Sequence, residues 1–186
     1  MKGKLIFIIG PSGAGKDTLL NEARVLLANS KSILFAHRYI TRSPEYGVEN
    51  HIALSTKEFE VRSAAGLFSI QWSGNDLHYG IGSEIDLWIN KGFTVVVNGS
   101  RAYLKSLEVI PGHWVPLVID VDRKKLESRL ILRSRESAQQ IKERLRRNDL
   151  LSDSAQGYRK ILNNGSVREG VNQLCSELKS IAKGIL

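Results

Sequence analysis

The sequence predicts an α/β fold: a mainly parallel sheet covered by helices on both faces, with a phosphate-binding loop at its carboxyl edge. Three observations predict it. Short apolar runs of buried-strand type, at 5–9, 93–97 and 114–121, alternate with helical patterns. Residues 10–18, Gly-Pro-Ser-Gly-Ala-Gly-Lys-Asp-Thr, fit the pattern G-x-x-x-x-G-K and stand between the first strand and the first helix. No internal repeat, low-complexity tract or linker divides the 186 residues, so a single domain is expected.

Taken in order, Leu5-Ile6-Phe7-Ile8-Ile9 reads as a strand buried on both faces, and 12–29 as a helix carrying Leu19, Leu20, Ala23, Leu26 and Leu27. Residues 33–36 are a second strand candidate, followed by a polar, turn-rich stretch to residue 54. Ser55 and Glu58 have capping-box spacing and open a helix that ends near Gly66. Extended pieces at 67–72 and 77–79 flank a Gly74-Asn75-Asp76 turn. Ser83 is placed to cap a helix bearing Ile85, Leu87, Trp88 and Ile89, which stops at Gly92. After the strand at 114–121, Asp122 is placed to cap a helix with Leu126 and Leu130 on one face. A basic stretch continues to Asn148, and 160–162 form a last short strand. Ser166 and Glu169 make a second capping box for a helix with Val171, Leu174, Cys175, Leu178, Ile181 and Ala182 on one stripe.

Composition narrows the function. The chain is 42% apolar and 25% charged, as in ordinary soluble domains, and its one cysteine excludes an internal disulfide. No apolar run reaches the ~20 residues that span a membrane, so a cytoplasmic protein without a membrane partner is expected. The net charge is +8, of which residues 123–147 supply +7 through ten Lys/Arg against three Glu. No aromatic residue interleaves with these charges, which speaks against nucleic-acid binding. An arginine cluster on helices, in a protein with a phosphate loop, suits closure over polyphosphate.

The loop carries a definite chemistry. Gly10, Gly13 and Gly15 let backbone N–H groups turn toward one point, with Pro11, Ser12 and Ala14 between them. The helix start adds its positive end, and Lys16 brings a mobile charge to the β- and γ-phosphates. ATP is the expected ligand, held by 10–18. One position departs from the pattern: Asp17 follows the lysine where Ser or Thr is usual.

From Arg38 to Tyr79 the chain resembles the acceptor-binding insert of guanylate kinases. Thr41-Arg42-Ser43-Pro44, Gly74-Asn75 with Tyr79-Gly80, and Arg129-Leu130 with Arg133 and then Arg144 follow that family's order. The resemblance implies a guanylate-kinase-like P-loop NTPase fold with a core at about 1–36, 83–122 and 158–186, an acceptor insert at about 37–82 and an arginine-rich lid at about 123–157. The base-reading positions differ. The place of a guanine-reading glutamate is Gln71, or Ile70 if the gap is set differently, and Ile81 replaces a hydroxyl. Each lost reader costs about 1–3 kcal/mol at minimum. Glu45 and His51 replace an arginine and a tyrosine of the acceptor signature.

Gly-Lys-Asp in the loop, residues 36–42, Glu49-Asn50-His51-Ile52-Ala53-Leu54-Ser55, residues 79–86, Val97-Asn98-Gly99-Ser100-Arg101 and 162–166 together resemble the ribose 1,5-bisphosphate phosphokinases of bacterial phosphonate breakdown. That resemblance implies ATP and ribose 1,5-bisphosphate as substrates and 5-phosphoribosyl diphosphate as product, with Mg²⁺. The metal falls to Asp17 with Ser100 or Asn98 opposite, or to Thr18 with Asp17 as a helix cap. Lys16, Arg133 and Arg144 are the catalytic candidates, with Arg129 and Arg135 behind them. Arg38, Arg42 and Tyr79 are candidates for an acceptor phosphate. Arg101 either takes the other phosphate or lies on the surface. Glu49 and Asn98 either accept from ribose hydroxyls or hold a turn and a strand end. His51 is structural or a phosphate donor. Asn163 and Asn164 match the family's adenine-side loop or form a plain turn. A monomer or homodimer is expected. The rival readings are a nucleoside monophosphate kinase and a non-catalytic binding module of the same fold.

Overall fold

The computed structural model describes residues 2–43, 49–132, 137–151 and 157–184. Five strands form the main sheet: β1 (Leu5–Ile9), β2 (Ile33–Phe35), β7 (Thr94–Asn98), β8 (Trp114–Asp120) and β9 (Arg159–Leu162). They run parallel in the order β2-β7-β1-β8-β9. β1 is central, paired with β7 through Leu5↔Val95 and with β8 through Leu5↔Trp114. All five β1 residues are buried, which explains the unbroken apolar run.

Alternation along β1 splits the core in two. Ile6 and Ile8 pack with α1 (Lys16–Leu26), α5 (Arg123–Leu132), α6 (Ala138–Leu150) and α7 (Val167–Ala182). Leu5, Phe7 and Ile9 face the other side, toward Ile85 and Ile89 of α3 (Glu84–Asn90) and Leu104 of α4 (Arg101–Ser106). Cys175 lies buried on the α7 stripe, and burial raises its thiol pKa, as suits a packing residue.

A second sheet shares the core on the Leu5, Phe7 and Ile9 face of the first, through Ile70 and Ile81. It orders β4 (Ile52–Ala53), β3 (Arg38–Ile40), β6 (Leu77–Gly82) and β5 (Phe68–Gly74), with β3 and β5 antiparallel to β6. Its hairpin turns at Asn75 and Asp76, both with positive φ (51° and 59°). A register shift between Phe68 and Ile70 turns Phe68 toward Tyr39 and Phe59 of α2 (Thr56–Ala64), while Ile70 and Ile81 enter the core.

Several boundaries differ from the sequence reading. The first helix begins at Lys16 rather than residue 12, because the glycines hold an open loop. The polar stretch 37–54 contains β3 and β4. The basic stretch is two helices: Ser137 and Gln140 form a capping box that starts α6. Ser166 and Glu169 form the expected box on α7. Ser55 caps α2 alone, since Glu58 turns to Arg62 instead. Ser83 makes no side-chain cap, its backbone already being helical.

Gly99, just past β7, lies against the Phe7 ring, so a Cβ there would sit 2.4 Å from two ring carbons. Phe7 is fully buried and stacked on Trp114 at 5.0 Å, so the ring has nowhere to move. Gly99→Ala is expected to destabilise the protein by about 1–3 kcal/mol through overpacking, read from the urea midpoint of unfolding.

Candidate active site

The phosphate loop leaves β1 at Gly10 and closes on α1. Gly15, the residue before α1, adopts φ 92°, a left-handed conformation open to glycine. A Cβ at Gly15 would also meet Asn163 Nδ2 at 2.6 Å. The reason is that Asn163, buried just after β9, donates to Ala14 O at 2.7 Å. Arg129 of α5 joins it, donating to Ala14 O at 3.4 Å and to Asn163 O at 2.9 Å. The loop is therefore braced from outside by one amide and one guanidinium. A cavity of 220 Å³ opens there, lined by Gly13, Gly15, Thr18, Arg129, Leu132 and Asn163 among others.

Lys16 curls back and donates to Gly10 O at 2.9 Å and Pro11 O at 3.0 Å. Burial is the main cause that pushes its pKa down to about 8. Arg38 and Arg101 add to that, while Asp17 and Glu49 oppose it. Lys16 thus feels the charges of Asp17, Arg38, Glu49 and Arg101.

Asp17 and Thr18 part company. Thr18 lines the cavity beside Arg129, whereas Asp17 lines a second one with Arg38, Glu49, Asn50 and Asn98. Asn98, at the end of β7, donates to Asp17 Oδ1 at 2.8 Å and to Glu49 Oε1 at 3.4 Å. Its own Oδ1 is buried without a hydrogen-bond partner. Ser100 is engaged as the N-cap of α4, accepting from Tyr103 N at 3.3 Å.

Glu49 binds Arg38 through both carboxylate oxygens and takes Arg42 Nη2 at 3.4 Å. It is thus the anchor of two arginines. His51 Nδ1 lies 3.4 Å from Arg42 Nη2, and its Nε2 3.3 Å from Arg42 O, so it positions Arg42. The Tyr79 ring stacks on Trp72 at 5.3 Å and carries the Arg38 guanidinium 5.2 Å above it. Ile81 is fully buried, Gln71 is exposed and accepts from Ser63 of α2, and neither lines this cavity.

Arg101 is half-buried, its pKa lowered by burial, and its charge is felt at Lys16; it donates to Asn148 O of α6 at 3.4 Å. Arg144 is half-buried on α6. Arg133 and Arg135, named with it, and Glu45 lie outside the described residues. α6 also reaches the hairpin, since Arg147 donates to Asn75 Oδ1, and it reaches α5 through Arg123 and Asp149 at 2.6 Å. The sequence reading passed over Arg24 and Asn50, which line the second cavity. Arg24 carried a signal: it stands seven residues after Asp17, two turns on along the same helix face.

No family model matches the chain. Among solved structures, guanylate kinase from Anaplasma phagocytophilum superposes with a TM-score of 0.70 at 16% identity, over 97% of this chain and 88% of that one. The chain thus has the guanylate-kinase-like fold. Among curated proteins, the ribose 1,5-bisphosphate phosphokinase PhnN of Psychromonas ingrahamii is 44% identical over 186 residues, covering 100% of this chain and 94% of its own. The PhnN of Klebsiella pneumoniae is 44% identical, covering 98% and 96%, and that of Pectobacterium parmentieri 47% identical, covering 87% and 85%. Full-length identity at this level, together with the braced loop and the arginine-rich second cavity, leads to one conclusion: the chain belongs to the ribose 1,5-bisphosphate phosphokinase (PhnN) family.

Proposed function

We infer that this protein transfers the γ-phosphoryl group of ATP to the 1-phosphate of ribose 1,5-bisphosphate, giving ADP and 5-phosphoribosyl diphosphate, in the service of phosphonate breakdown. The observation that carries the reading is the full-length likeness to kinases of that name. The site supports it at one particular point. The cavity next to Asp17 offers guanidinium and amide donors, and the two positions suited to a purine reader are a buried isoleucine and a glutamine turned to α2.

Phosphoryl transfer needs position and charge stabilisation more than covalent help. An ionised oxygen of the acceptor phosphate attacks the γ-phosphorus as the bond to the bridging β–γ oxygen breaks and ADP leaves. That oxygen carries no proton near neutral pH, so no strong base is required. The loop from Gly10 to Thr18 takes the ATP phosphates. Lys16, released from Gly10 and Pro11, follows the γ-phosphate. Arg38 has Nε and Nη2 committed to Glu49 and keeps Nη1 for the acceptor, with Arg42 and Tyr79 beside it. Arg101, with Arg144 from α6 and Arg133, counters repulsion between the two anions.

Asp17 and Asn98 fit Mg²⁺, a hard ion that takes oxygen ligands and keeps waters. The Asp17 carboxylate on α1 and the orphaned Asn98 Oδ1 at the end of β7 would supply two oxygens. When bound, the ion would neutralise charge on the β- and γ-phosphates.

Three outcomes are expected. With ATP and Mg²⁺, ribose 1,5-bisphosphate gives phosphoribosyl diphosphate by mass spectrometry while GMP gives no GDP; GDP alone would overturn the reading. Asp17→Asn shifts the Mg²⁺ dependence of the rate to at least tenfold higher concentration, whereas an unchanged titration would remove the carboxylate from the metal site. The third concerns Lys16. Its pKa of about 8 in the free protein lies below the ordinary 10.5, so it sheds its proton as pH rises through 8. Phosphate contact favours the charged form. ATP binding therefore takes up protons at about pH 8.5, and affinity falls as pH climbs, seen by calorimetry in buffers of differing ionisation enthalpy. Free-protein stability responds oppositely: the unfolded chain binds more protons between about 8 and 10.5, so this group's contribution rises with pH across that window.

A further inference from the structure

Ribose 1,5-bisphosphate bears two phosphates, and the acceptor groups above account for one. The second cavity extends past Arg38 along α1. Asp17, Leu20, Asn21 and Arg24 follow one another on a single face of that helix and line it. Arg24 therefore lies about 10 Å along the axis from Asp17, on the far side of the cavity from the reacting end.

Its guanidinium is fixed by the chain that leaves β2. Arg24 Nη1 donates to His37 Nε2 at 2.6 Å, Nη2 donates to Ala36 O at 3.2 Å, and the group sits 5.7 Å over the Phe35 ring. Arginine has only donors, so His37 Nε2 is the acceptor and the neutral ring carries its proton on Nδ1. Asn50 Nδ2 stands 3.3 Å from the same nitrogen. Burial and the Arg24 charge both lower the His37 pKa, in keeping with a neutral ring. Among the described residues Arg24 has no ion-pair partner. Glu49, the carboxylate within range, is engaged by Arg38 and Arg42. A half-buried cation, held by three neutral contacts at the wall of a cavity, is arranged to receive an anion.

We propose that Arg24, held by His37 and Ala36, forms with Asn50 a second anion subsite that takes the 5-phosphate of the pentose. The subsite is directed at a sugar phosphate monoester. Arg38 follows His37 in sequence, so the two arginines approach one cavity from neighbouring points, one for each end of the substrate. His37 acts as a positioning residue, since Arg24 occupies its acceptor nitrogen. This assignment rests on the activity inferred above and adds the determinant that selects a bisphosphate over a monophosphate.

The test compares wild type with Arg24→Ala on ribose 1,5-bisphosphate and on ribose 1-phosphate, which lacks the distal group. Arg24→Met, which keeps the aliphatic stem over Phe35, is read in its place should the alanine variant fail to fold. The ratio of kcat/KM for the two acceptors is expected to collapse at least tenfold, chiefly through KM for the bisphosphate, with KM for ATP unmoved. An equal loss on both acceptors, or an unchanged ratio, overturns the subsite. Calorimetry with ribose 5-phosphate, which has the distal group alone, decides independently of turnover. Wild type is expected to bind it at least tenfold more tightly than the variant. Equal affinity, or no binding by wild type, overturns the proposal. Should wild type bind ribose 5-phosphate through Arg24 yet leave ribose 1,5-bisphosphate unphosphorylated, the activity falls and the subsite stands.

Discussion

The site depends on one amide. Asn98 at the end of β7 stands between two carboxylates, Asp17 on the helix that follows the phosphate loop and Glu49 on the segment before β4, and its Nδ2 donates to both. Two carboxylates at one centre repel, and an acid at the strand end would make three. A neutral donor there lets Asp17 occupy a position where the motif usually places a hydroxyl. The replaced residues are therefore coupled: the carboxylate on α1 and the amide on β7 make sense together and poorly apart. Glu49 in turn fixes Arg38 and Arg42, so the amide links the phosphate loop to the second sheet.

Around this centre the guanidinium groups are sorted by how they are held. Arg38 and Arg42 are held by a carboxylate, Arg24 by a ring nitrogen and a carbonyl, and Arg129 by two carbonyls. The first arrangement offsets part of the positive charge, and the others keep it whole. Arg129 lines the first cavity and braces the loop, while Arg24 lines the second. The charge of the basic stretch, a run in the sequence, is only part of this system: two of these four arginines belong to β3 and its following turn, and one to α1.

Much of this was legible beforehand. The apolar run of β1, the glycine loop and the α7 stripe are local patterns whose burial repeats their periodicity, and the Ser166–Glu169 box formed as read. β3 and β4 were not legible, since three and two residues in a polar stretch carry no periodicity and are held by pairing with β6 and each other. The start of α6 was legible but passed over: Ser137 and Gln140 have the spacing of a box. Arg24 reads alone as one more polar helix residue. Its contacts appear only once the end of β2 lies beside α1, which is a matter of sheet order. Asn163 reads as an adenine-side residue or a plain turn, and its brace on Ala14 appears only once β9 carries it under the loop.

That last placement bears on how the protein is made. Gly10, Gly13, Gly15 and Lys16 leave the ribosome well before Asn163, whose amide braces Ala14, and Gly170 of α7 packs against that amide in turn. β1 must also wait for β7 and β8 to flank it. During synthesis the nucleotide-binding segment is therefore a glycine-rich tether without a wall, next to an apolar strand without neighbours. Such long-range closure slows folding and leaves β1 exposed to wrong pairings until β8 emerges. The phosphate loop is therefore braced only once β9 and α7 have formed.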